Sequence, residues 1–195
     1  MNTHRLVATT PCPVPRHRAL EVLPGRARDA LADALRQLDE AELQDQPAIL
    51  ALALAQVGRC YRRMGDGATA EWYLQQGLRK ARTLCAPEAC IELLCDLAEL
   101  VSILSTEISR DDPRGAHAVR ERARDHGYEA AQMVSLVGDG EWEVAVLQRV
   151  SRVLDRCGDT EDAAALRERA GQLRARDLRT LQAANDALSC ARSFQ

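Results

Sequence analysis

The stretch Leu54-Ala55-Gln56-Val57-Gly58-Arg59-Cys60-Tyr61-Arg62-Arg63-Met64-Gly65-Asp66-Gly67-Ala68-Thr69-Ala70 decides the fold. Leu54, Val57 and Tyr61 stand at 0, +3 and +7, on one face of a helix. Gly58, at +4, leaves a gap in that face where a second helix can lie close. Gly65-Asp66-Gly67 then stops the helix, and so short a connection folds the next helix back antiparallel. The apolar pattern returns at Leu94, Leu97, Ala98 and Val101, and again at Leu147, Val150, Ser151 and Leu154. The unit that repeats is a helical hairpin.

Working outward, the second helix of each hairpin carries its own mark. Ala70 and Gly77, Ala116 and Ala123, and Ala163 and Ala170 are small residues seven apart, as are Ala27 and Ala34 upstream. Small side chains at that spacing let helix axes approach along a seam. Start and stop signals then predict helices over 25–43, from Pro47 to Met64, from there to about Cys85, over 88–108, from Asp112-Pro113 to 137, over 141–157 and from Thr160 onward. Gly127 either bends the fifth of these or divides it. The hairpins therefore fall near 47–85, 88–137 and 141–177, flanked by an N-terminal helix and by a C-terminal capping helix over 178–191, which either continues the last hairpin or covers it. Together they form one domain over 19–195. Residues 1–18, with Pro11, Pro13 and Pro15, read as a flexible leader.

Composition agrees with this pattern. Of 195 residues, 46% are hydrophobic and only 3% aromatic, so a core is available but strand formers are scarce. A net charge of -3 supplies no field to attract nucleic acid or an anionic membrane. The leader lacks the apolar core of a signal peptide, and no apolar run approaches the ~20 residues of a membrane span, so a cytoplasmic protein is expected. Seven cysteines with no Cys-x-x-Cys pair read as reduced, mostly buried thiols.

The quoted stretch resembles a tetratricopeptide repeat, whose pattern includes a Leu-Gly-like pair, a tyrosine, a turn glycine and an alanine in the second helix. Residues 147–163 resemble it more weakly, and the central copy lacks the turn glycine. The spacing departs from the family's period of ~34: Leu54 to Leu94 is 40 residues and Leu94 to Leu147 is 53. Lengthened repeats of this kind are similar to those of MalT-like signalling proteins. The resemblance implies an all-α, right-handed superhelical stack of antiparallel hairpins with about 7–8 helices. It also implies a partner-binding groove formed by residues two, five, nine and twelve of each first helix: Leu52, Ala55, Arg59 and Arg62, then Glu92, Cys95, Glu99 and Ser102, then Ala145, Gln148, Arg152 and Asp155. The Lys and Asn with which some family members hold a chaperone's carboxylate tail are absent at these sites. Arg59, Arg62 and Arg152 are either solvated charges or the groups that meet an acidic partner.

No catalytic constellation stands out. His4 and His17 lie in the leader, and His117 and His126 are nine residues apart on one helix. Cys85, Cys90 and Cys95 are five apart, about 140° on a helix, so they do not converge on a metal. Gly65-Asp66-Gly67 and Gly138-Asp139-Gly140 lie between helices, not after strands, and are not phosphate loops. Trp72 and Trp142 are either interface anchors or packing groups, with packing the simpler account. The function expected is non-catalytic protein or peptide binding by an adaptor or regulator, with no cofactor and no metal. The alternatives are a chaperone of the type III secretion kind, or a regulatory module sensing a ligand or peptide in a cavity beside Leu100 and Leu104. Apolar stripes at Leu181 and Leu188 suggest a homodimer.

Overall fold

A computed structural model describes residues 25–44, 47–108, 112–137 and 140–192, with side chains through residue 182. The described residues form seven helices: α1 (Gly25–Leu43), α2 (Pro47–Arg63), α3 (Gly67–Thr83), α4 (Pro87–Ile108), α5 (Pro113–Val137), α6 (Gly140–Cys157) and α7 (Thr160–Arg192). They contain no strand. The three hairpins pair α2 with α3, α4 with α5 and α6 with α7. The leader, 1–18, and the Gly138-Asp139 half of the third predicted break lie outside the described residues.

In the first hairpin the small residues are points of close approach. A Cβ added at Gly58 would stand 2.8 Å from Cγ of Leu74 and 3.2 Å from the backbone oxygen of Ala70. Only glycine lets α2 and α3 close to this distance. Leu54, Val57 and Tyr61, Leu94, Leu97 and Val101, and Leu147, Val150 and Leu154 are all buried. Tyr61 stacks on Tyr73 across the first hairpin, with ring centroids 5.5 Å apart. The core is continuous from α1 to α7, with a smaller cluster of Ala98, Val101, Ala123, Val153 and Cys157 beside it.

The first helices touch one another, α2 to α4 and α4 to α6, whereas α3 and α5 make no backbone approach. The stack therefore curves with its first helices on the inner side. The central hairpin is enlarged, with 22 residues in α4 and 25 in α5, which accounts for the uneven repeat spacing. Helix α5 runs unbroken through Gly127, whose position faces Val150 at 3.2 Å. Of the two readings of 178–191, the structure has the continuation: α7 runs 33 residues without a break. No proline or glycine after Gly171 interrupts it.

Three turns use one hydrogen-bond pattern. After α2, Gly65 N–H donates to Arg62, Asp66 N–H donates to Tyr61, and Ala70 N–H donates to Asp66, at 3.0–3.1 Å. After α6, Gly158, Asp159 and Ala163 donate to Asp155, Leu154 and Asp159 in the same order. After α3 the pattern recurs with Cys85, Ala86 and Cys90 as donors. Gly65 and Gly158 have φ of 80° and 94°, and Cys85, in the equivalent place, has φ of 50°. Helix starts are equally local. Asp66 Oδ1 accepts from Thr69 N–H at 3.0 Å, and Asp112 Oδ1 accepts from Arg114 and Gly115.

The left-handed cysteine yields a prediction. A non-glycine residue there costs about 1–2 kcal/mol, of which glycine's larger unfolded-state entropy returns about half. Cys85 is exposed, so its thiol contributes little packing. Cys85→Gly is expected to stabilise the protein by about 0.5–1 kcal/mol, read as a higher urea midpoint at unchanged slope.

Candidate functional site

The inner side of the stack is lined by charge from all three first helices. On α4, Glu92, Asp96 and Glu99 stand at 0, +4 and +7 and share one face. Helix α2 meets them with Arg59 and Arg62, and α6 meets them with Arg149. Nε of Arg59 donates to Asp96 at 2.6 Å, and Nη1 of Arg62 donates to Glu99 at 2.9 Å. Arg149 spreads its guanidinium over the whole row, donating to Glu92 at 2.8 Å, Asp96 at 2.9 Å and Glu99 at 2.8 Å. The indole N–H of Trp142 donates to the other oxygen of Glu92 at 3.1 Å. Three carboxylates and three guanidinium groups thus neutralise one another between the hairpins.

Asp96 is the most enclosed member, 2% exposed. Its two oxygens take one arginine each, Arg59 from one side and Arg149 from the other. Burial alone would raise the Glu99 carboxyl, but hydrogen bonds and charge from Arg149, and then Arg62, outweigh it and hold that carboxyl below its usual range. Burial likewise works against the Arg149 cation, and its carboxylate partners reverse this and fix it protonated. The neighbouring Cys95 thiol is pushed up to about 12, chiefly by burial, which disfavours the thiolate.

The expected groove positions divide into five groups. Arg59, Arg62, Glu92 and Glu99 are brought together in the charged row. Ala55 and Cys95 do not face the groove; both are 1% exposed and lie in the core. Ser102 is buried, and its hydroxyl accepts from Nη1 of Arg156 at 2.9 Å. Leu52 sits between α1 and α2, Ala145 and Gln148 sit between α6 and α7, and Asp155 bonds Arg167 of α7. Arg152 is exposed, and no ion pair joins it to another described residue. The family's offsets missed Asp96, Trp142, Arg149 and Arg156. Of these, Asp96 alone is marked by its own helix, since it falls between Glu92 and Glu99 on one stripe of α4.

Trp72 lies edge-on to Tyr73, and Trp142 packs against the core. Burial holds the His126 imidazole below its usual range. Among the described residues, no three His, Cys, Asp or Glu side chains are placed to hold a metal ion, and no described helix is long and apolar enough to cross a membrane. Leu100 is buried in the core, and Leu104 is packed over Gly67, where an added Cβ would stand 2.6 Å from it.

No family model and no curated protein matches the chain. Among solved structures it is similar to the DHF58 filament, at 23% identity over 83% of each chain with a TM-score of 0.44. It is also similar to the de novo designed helical repeat protein DHR64, at 21% identity over 83% of each chain and 0.38. BtubC (BKLC) from P. vanneervenii is 15% identical, with 78% of this chain and 92% of that one covered, at 0.35. An all-α helical repeat is what the chain itself displays.

Two predictions concern the charged row. Arg149→Met leaves a carboxylate oxygen of Asp96 buried without its cation. It is expected to cost about 2–3 kcal/mol in chemical denaturation, less than the roughly 3–5 of a fully enclosed pair because Arg149 keeps some solvent contact. Arg36→Met, which breaks only an exposed pair with Asp33, should cost under about 0.5 kcal/mol. The second prediction concerns pH. Because the folded Glu99 pKa lies below its unfolded value of about 4.3, the stability it contributes is full above that value and is lost as pH falls through the folded pKa. Glu99→Gln should therefore be less stable than wild type at neutral pH and should show a flatter acid limb when Tm is followed against pH.

Proposed function

We propose that this protein is a non-catalytic scaffold of tetratricopeptide-like repeats that binds an acidic segment of a partner protein on the inner side of the stack. The observation that carries this reading is the uneven state of the inner arginines. Arg59, Arg62 and Arg149 are consumed by the three α4 carboxylates. Arg152 and Arg156, one turn apart on the same helix, are exposed, and the hydrogen bond that Arg156 makes is to the neutral hydroxyl of Ser102. The inner face therefore keeps a local positive charge at its α6 end on a protein whose net charge is -3.

Two guanidinium groups at i and i+4 can each take a carboxylate of an extended or helical ligand in a fork-to-fork bond. Arginine suits that task better than lysine because less freedom is lost per bond formed. A rigid row beside the pair gives the ligand a fixed floor, since neutralised charges do not rearrange when a chain is laid across them. The reading supports a regulatory or adaptor role in which recognition, and not chemistry, is the activity.

The test uses a fluorescein-labelled peptide rich in Glu and Asp, followed by anisotropy at low salt. Binding is expected, with a several-fold rise in Kd in Arg152→Ala/Arg156→Ala and none in Lys80→Ala, which lies on α3 away from the inner face. Equal affinity for the double variant and wild type would remove the α6 arginines from the site.

A further inference from the structure

Among the described residues, the two ends of the stack are open in complementary ways. Each interior second helix is held between two first helices, α3 between α2 and α4, and α5 between α4 and α6. The end helices are not: among the described elements, α1 packs on α2 alone and α7 on α6 alone. At the N-terminal end, α1 and α2 leave a groove of about 470 Å³ where the first helix of a preceding hairpin would lie. Its floor includes Ala41 and Ala53, and its rim carries Ile49 and Leu52, 47% and 57% exposed. Glu40 stands at its edge.

At the other end α7 outruns its partner. The start of α6, Gly140, faces Asp177, so residues 178–192 project past it as a helix of about 22 Å. A helix of that length is marginal in water on its own. Leu178 and Leu181 lie at its base, 60% and 63% exposed, beside Val144 and Ala145 of α6. The charges are opposite at the two ends. Helix α1 holds five carboxylates against three arginines, whereas residues 174–181 hold three arginines against one aspartate.

We infer that the protein associates head to tail with further copies of itself, the α7 projection of one copy seating Leu178 and Leu181 in the α1–α2 groove of the next. The projecting helix supplies the missing first helix of the N-terminal groove, and Arg174 and Arg179 come to the acidic side of α1. Because the two surfaces differ, the contact is heterologous and generates chains or closed rings, not a two-fold dimer. The groove borders the inner face at Arg59, while Arg152 and Arg156, on α6, stay accessible.

Sedimentation velocity on the full chain tests this. Wild type is expected to gain mass with concentration and to lose it at high salt. Leu52→Glu, with its groove spoiled, and Leu181→Glu, with its projection spoiled, should each be monomeric. An equimolar mixture should form a 1:1 dimer and stop there, since each variant keeps the surface that the other lacks. Circular dichroism confirms that each variant stays helical, and Leu52→Ser and Leu181→Ser serve in place of any that does not. Wild type that stays monomeric at every concentration overturns the inference. So does a single variant that still self-associates, as a two-fold contact at one end would allow, and so does a mixture that remains monomeric.

Discussion

The stack depends on Asp96. A carboxylate removed from water costs several kcal/mol unless its lone pairs are met by charged donors. Here the donors come from two different hairpins, Arg59 of the first and Arg149 of the third. The ionised side chain can be buried only when both neighbours are in register. Apolar contact between helices tolerates a slip of a residue or a small rotation; a buried carboxylate with two guanidinium partners does not. The interaction is therefore better understood as fixing the register of the stack than as adding a large increment of stability.

Packing within the hairpins and packing between them rest on different physics. Within a hairpin the helices close on small residues, as at Gly58 against Leu74 and Ala70, and the gain is burial of aliphatic side chains. Between hairpins the apolar seam is supplemented on both sides by ion pairs. Arg82 with Glu129 and Arg122 with Glu71 join α3 to α5 on the outer side, where the backbones stand apart. The exposed outer pairs are worth little individually. The inner row is enclosed and networked, so its members are mutually dependent. This division explains why the chain can be rich in arginine and glutamate and poor in aromatics yet hold a defined curvature.

The fold was legible because its signals are local. Apolar residues at 0, +3 and +7 with a small one at +4 define a helix face regardless of what lies elsewhere, and Gly65 and Gly158 mark their turns by a backbone requirement only glycine meets without strain. The turn at Cys85 carries no such mark, although its hydrogen bonds are the same. The inner face was legible only in part. Arg59, Arg62, Glu92 and Glu99 fall where the repeat offsets place them, but Ala55 and Cys95 turn inward and Asp96 and Arg149 take the facing positions. Offsets borrowed from a repeat of regular length assume a constant rotation between neighbouring first helices. With intervals of 40 and 53 residues that assumption fails, and which side chains meet is decided by the relative rotation of α2, α4 and α6, a quantity no single helix encodes.

A saturated centre also constrains where recognition can occur. A ligand that competed for Arg149 would have to repay the loss of three short hydrogen bonds and leave Asp96 half paired inside the protein. The exposed groups outside the row lie at the margins: the α6 arginines on the inner face, the apolar rim of the α1–α2 groove and the exposed leucines at the base of the α7 projection. In this chain the two ends carry unlike charge and unlike shape, so covering one end does not cover the other. A single contact that covers both ends must therefore bring two different surfaces together, so the asymmetry of the ends constrains such a contact more directly than the size of either apolar patch.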